Sequence, residues 1–180
     1  MIGKSRSIIK RESIIGLPVI NGKTGKKLGV IKDLYTKNRG TYLEGFYVTN
    51  NINRRFIAVP FDDATVGYDA VIAEGYTTKF YHEKAKDEVL EKLLNKKVVR
   101  EDGAEIGVIS DIIFDPLTGR IEGLELSESV IGDLISGRQI LPYEPPEFID
   151  GEALIISMEQ AQNIIPMERG IKNIFLNNQE

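Results

Sequence analysis

Leu28-Gly29-Val30-Ile31-Lys32-Asp33-Leu34 returns later in the chain as Ile106-Gly107-Val108-Ile109-Ser110-Asp111-Ile112, a displacement of 107 − 29 = 78 residues. The same displacement carries Gly25 onto Gly103, Glu44 onto Glu122 and Gly45 onto Gly123. Further on, Ala58-Val59-Pro60-Phe61 aligns with Ile140-Leu141-Pro142-Tyr143 at 142 − 60 = 82, and Ala70-Val71-Ile72 with Ala153-Leu154-Ile155 at 153 − 70 = 83. A constant offset that grows inside one loop is what duplication followed by loop insertion leaves behind. The 180 residues, 42% hydrophobic and 28% charged, therefore divide into two small domains, each with apolar material for its own core.

Each unit reads as short strands separated by turn residues. In the first these are Leu17 to Ile20, Leu28 to Tyr35, Tyr42 to Thr49, Arg55 to Phe61 and Ala70 to Ala73, with Asn-Gly and Thr-Gly signals between them. The second has Asp102-Gly103 and Asp115-Pro116-Leu117-Thr118-Gly119 as matching turns. Leu28, Val30 and Leu34 are expected on one face, as are Ile106, Val108, Ile112 and Phe114, with Lys32 and Ser110 interrupting. In the third strand the apolar phase slips at Gly45 and Gly123, which suggests a bulge that bends both copies at the same place. Between the units, Tyr81, Ala85, Val89 and Leu93 recur every four residues and predict an amphipathic helix. Ser157 and Gln160, at capping-box spacing, predict a short C-terminal helix before Pro166. The expected fold is mainly β: two small β-barrels in tandem over residues 12–78 and 95–157, a linker helix over 79–94, and a C-terminal helix and tail over 158–180.

The ordered pieces Gly25 to Leu34, Leu43 to Val48, Ala58-Val59-Pro60-Phe61 and Ala70 to Ala73 resemble the PRC-barrel family. They recur as Gly103 to Ile112, Ile121 to Leu126, Ile140-Leu141-Pro142-Tyr143 and Ala153 to Ile156, and the repetition in order is what gives the resemblance its weight. The resemblance implies a small β-barrel of the type found in the photosynthetic reaction-centre H subunit and in a ribosome-maturation factor. In those settings it makes protein contacts and is not a catalytic centre. Fold likeness alone does not decide function.

The chemistry legible in the sequence is sparse. With no cysteine and one histidine, His82, thiolate zinc sites and cysteine nucleophiles are excluded; neither a metal nor another cofactor is expected. Gly16-Leu17-Pro18-Val19-Ile20-Asn21-Gly22-Lys23-Thr24 imitates a phosphate-binding loop, but five residues separate its glycines where four are required, and a strand follows where a helix belongs. Asp33 and Asp111 hold equivalent positions. They are either acids for proton transfer or acceptors for backbone donors exposed where the strand bends, and the second reading is preferred. Gly29, Gly45, Gly107 and Gly123 are assigned to backbone geometry. No nucleophile elbow, zincin or dinucleotide motif occurs, and an enzyme is not expected.

The expected role is protein binding. The net charge of −4 opposes phosphate backbones, so nucleic acid is an expected partner only through the basic arm of Lys4, Arg6, Lys10 and Arg11, read as a solvated tail. No apolar run is long enough for a membrane span, and a cytoplasmic location is expected. Gly123 to Pro142 covers 142 − 123 = 19 positions against 60 − 45 = 15 for Gly45 to Pro60, so four residues are inserted in the second copy. There Val130, Ile131, Leu134 and Ile135, with Tyr143 just beyond, either cap the barrel or form a patch for another protein or a second copy of the chain. A ribosome- or RNA-associated factor is the alternative, and a small-molecule or metal sensor a further one.

Overall fold

The computed structural model describes residues 8–37, 40–49, 56–74, 79–81, 89–127, 138–146 and 151–167. Strand β1 (Ile9–Lys10) and helix α1 (Arg11–Ile14) open the described chain. The first sheet contains β2 (Pro18–Asn21), β3 (Lys27–Lys37), β4 (Tyr42–Thr49), β5 (Phe56–Pro60), β6 (Ala64–Val66), β7 (Val71–Ala73) and β8 (Lys79–Tyr81), in the order β6-β7-β2-β3-β4-β5-β8. After helix α2 (Val89–Leu93), the second sheet contains β9 (Lys97–Arg100), β10 (Glu105–Phe114), β11 (Ile121–Ser127), β12 (Gln139–Pro142) and β13 (Ala153–Ile156). Helix α3 (Met158–Gln162) and β14 (Ile165–Pro166) follow. Its order is β13-β9-β10-β11-β12-β14, and β1 pairs with β10.

The two sheets repeat each other's irregularities. Val19 runs parallel to Val71 in the β2–β7 pair, and Leu154 to Val98 in the β13–β9 pair, while the remaining ladders are antiparallel. Tyr35 faces Gly45 and Thr36 faces Leu43, so Glu44 is an extra residue on β4; Ile113 faces Gly123 and Phe114 faces Ile121, so Glu122 is extra on β11. A second shift leaves Lys32 extra on β3 and Ser110 extra on β10. That shift corrects the expected side-chain faces. Leu28 and Val30 stay half-buried while Ile31 enters the core, and the extra Lys32 then reverses the phase so that Leu34 is buried. Ile31, Phe46 and Val48 in one copy, and Ile109, Ile112 and Phe114 in the other, are wholly buried, each worth about 1.5–3 kcal/mol of apolar transfer.

Among the described residues the amphipathic linker helix expected over residues 79–94 is not seen; 82–88 lie outside them. Lys79–Tyr81 instead forms β8, with Phe80 opposite Ile57 on the edge of β5, and α2 spans five residues. Two β-favouring aromatics beside an open sheet edge outweigh a local helical period. Leu90 and Leu93 of α2 are buried, and Asn95, with φ 65°, ends the turn. No described helix reaches seven residues. The capping box of α3 is present: the Gln160 N–H donates to Ser157 Oγ at 3.1 Å, and the Ser157 N–H donates to Gln160 Oε1 at 2.8 Å. Beyond it the chain returns to the sheet as β14, with Ile165 opposite Ile140, a strand the sequence reading did not include.

Candidate functional site

The residues singled out in the sequence occupy equivalent places in the two copies. Gly29 and Gly107 lie where β3 and β10 cross their neighbours, and a Cβ on Gly107 would stand 2.8 Å from the Ser127 carbonyl oxygen. At Gly45 a Cβ would meet the Val59 carbonyl and the Tyr35 ring, 2.6 Å from its Cζ, and at Gly123 it would lie 2.6 Å from Ile140 Cγ2. Asp33 and Asp111 follow the extra residues Lys32 and Ser110. Each Oδ1 accepts the N–H of the next residue, Leu34 or Ile112, at 2.8 Å. Both carboxylates also meet α1. Arg11 donates to Asp33 Oδ1 from Nε at 3.2 Å and Nη2 at 2.8 Å, while the Glu12 N–H donates to Asp111 Oδ2 at 3.2 Å. Burial pushes the Asp111 carboxyl above its ordinary value against the pull of the Ile112 and Glu12 amides; Glu125 adds a smaller upward push.

The basic arm is docked where the structure describes it. Ile9 and Lys10 pair with Phe114 and Ile113 on β10. Lys10 Nζ lies 2.5 Å from Glu125 Oε2, and Arg138 Nη1 bonds the other oxygen. Glu125 is fully buried, and Ser110 Oγ donates to its Oε1 at 3.2 Å. Burial alone would raise this carboxyl, but the hydrogen bonds and charges of Lys10 and Arg138 hold it below its ordinary value. The solvated-tail reading thus fails for Lys10 and Arg11, because buried carboxylates on two sheets need cations and these two are in reach. Lys4 and Arg6 lie outside the described residues. Glu125 was missed because it reads as a polar residue alternating between Leu124 and Leu126. Its mismatch with Tyr47 at the same repeat position was the available signal.

A groove of about 550 Å³ opens in the second copy where β12 and β13, near opposite ends of the sheet order, face one another. Leu124, Leu141, Leu154 and Ile156 form its floor, and Pro145 and Pro146 stiffen one wall. At the rim, Gln160 Nε2 donates to Glu144 Oε2 at 2.7 Å. Ile155, 61% exposed, and Met158, 44% exposed, carry apolar surface beside it. Sequence reasoning placed the partner patch at Val130, Ile131, Leu134, Ile135 and Tyr143. Val130, Ile131, Leu134 and Ile135 lie outside the described residues, and Tyr143 packs against the core, its hydroxyl pushed up to about 12 by burial. Ile155 stands at the position of Ile72, which is half-buried in the first copy; its exposure depends on cross-sheet neighbours that a one-strand pattern does not contain. Among the described residues no group of three or more His, Asp or Glu side chains is placed to hold a metal ion, and no helix is long and apolar enough to cross a membrane.

The PRC-barrel domain family matches the chain twice, over residues 7–78 and 87–162. No curated protein matches it. Both matches begin before the first long strand, so the short helices α1 and α2 fall inside the repeats; the first match holds the first sheet except β8, and also β1, which pairs with the second sheet, while the second match holds the rest of that sheet except β14. The chain belongs to the PRC-barrel family and carries two copies of its domain.

Proposed function

We propose that this protein is a non-catalytic binding module whose protein partner docks in the groove of the second copy. The carrying observation is the apolar groove and its exposed rim. Leu124, Leu141, Leu154 and Ile156 line it, and Ile155 beside them is 61% exposed, whereas Ile72 at the same repeat position lies opposite Thr65 of β6 and is half-buried. The positions equivalent to β6, 147–149, lie outside the described residues. An apolar groove with an aliphatic rim can take a peptide segment whose side chains enter it. The exposed aliphatic surface of Ile155 would be a central contact, and the Glu144–Gln160 pair a polar rim. The acidic balance and the internal ion pairs of Lys10 and Arg11 favour a protein over RNA as partner.

The test is affinity capture from a lysate of the source organism at low and high salt, comparing wild type with Ile155→Lys. The expected result is a protein retained at both salts by wild type and lost from a variant with an unchanged melting temperature. RNA retained at low salt and released at high salt would overturn the reading in favour of the nucleic-acid alternative.

A further inference from the structure

Three consecutive positions of the first copy meet their own counterparts in the second. At the repeat displacement of 78, Thr41 corresponds to Gly119, Tyr42 to Arg120 and Leu43 to Ile121. The Leu43 N–H donates to the Gly119 carbonyl at 2.8 Å, and the Ile121 N–H donates to the Thr41 carbonyl at 3.0 Å. Between them Tyr42 and Arg120 form an isolated antiparallel bridge. Exchanging the copies turns each of these hydrogen bonds into the other, which is the behaviour of an isologous contact about a two-fold axis.

The opening helices follow the same rule. Gly16, with φ 87°, and Asn95, with φ 65°, end α1 and α2, and each donates its N–H at 2.9 Å to an equivalent carbonyl, that of Ile31 or Ile109. The helices are therefore repeat counterparts. Yet α1 packs on β10 and α2 packs on β3, so each copy lays its first helix on the long strand of the other. Apolar burial accompanies the exchange, since Ile14 of α1 and Leu90 and Leu93 of α2 are buried.

We infer that this seam is a repeat-recognition surface. Each copy carries both halves of the contact, the chain is an internal dimer, and the partner the surface fits is another copy of the same repeat. The covalent link between the copies sets their local concentration without supplying the contact. The test uses the full chain with a protease site placed between residues 81 and 89. After complete cleavage the halves are expected to migrate together at the intact 20.1 kDa at roughly 1 μM. Separation into two species at that concentration overturns the inference. An independent measurement is hydrogen exchange on the uncut chain. The Leu43 and Ile121 amides should both be slowed by at least about 100-fold, and Ile121→Pro, at the first residue of β11 where proline is tolerated, should speed exchange at Leu43 by at least about tenfold. Leu43 exchanging as a free amide in the wild type, or unmoved by Ile121→Pro, contradicts it.

Discussion

Lys10→Met leaves the fully buried Glu125 carboxylate with one cation in place of two. Removing one partner of a buried ion pair costs about 3–5 kcal/mol, because the remaining charge is left desolvated. Here Arg138 still holds one oxygen and Ser110 donates to it, so the expected loss is lower, about 2 kcal/mol. For a chain of this length that corresponds to a fall of about 4–8 °C in melting temperature. Glu125→Met has the opposite logic. It removes the desolvated acid, fills the site with an apolar chain of similar volume, and leaves Lys10 and Arg138, 30% and 47% exposed, able to turn to solvent. Its cost should be within about 1 kcal/mol of zero. The double variant should resemble Glu125→Met alone, since Lys10 then has no buried charge to compensate. Thermal and urea melts at pH 7 measure all three. Glu125→Met falling below Lys10→Met in stability, or strictly additive losses, would refute the reasoning.

The same groups set the acid side of the stability profile. The folded Glu125 carboxyl sits below its ordinary 4.5, so its stabilisation is present above that value and is lost as pH falls through the folded pKa; Glu125→Met should flatten melts below pH 4.5. Asp111 is shifted upward, so ionising it opposes folding as pH rises from its ordinary 3.8 through the raised folded value. Asp111→Asn trades one acceptor for an amide donor at a fixed cost, but its stability relative to wild type should improve as pH rises from below 3.8 to 7, and no such improvement would contradict the burial argument. Gly45→Ala should cost more than about 2 kcal/mol, because the added carbon meets a backbone carbonyl, whereas Gly123→Ala, opposed first by a side-chain methyl, Ile140 Cγ2 at 2.6 Å, should cost less in the same melts. Asn95→Gly, at φ 65°, should leave the melt unchanged or raise it by up to about 1 kcal/mol in stability.

The two-copy, mainly β organisation was readable from residues because duplication writes one pattern twice, and the capping box at Ser157 was readable because it is local. The bend at Gly45 and Gly123 also left a local trace, the slip in apolar phase that coincides with the register shifts. The linker was misread for a physical reason. Tyr81, Val89 and Leu93 keep a helical spacing, but the backbone of Lys79–Tyr81 pairs with the edge of β5, and a helical period read from one segment does not contain that long-range partner. The docking of Lys10 and Arg11 was invisible because their carboxylates lie far along the chain, at Glu125 and Asp33, and a charge run read alone looks solvated. The groove escaped notice for a similar reason. Leu124, Leu141 and Leu154 each read as ordinary core, and only the curling of the sheet leaves an opening between them.

The most direct test of the binding reading places a photo-crosslinking amino acid at Ile155, with Tyr68, 96% exposed on the first copy, as the control position. Irradiation in cells of the source organism should give a discrete protein adduct from position 155 and none from position 68. No adduct from 155 with the chain folded, or the same adducts from both positions, would contradict the assignment of the groove as the partner site.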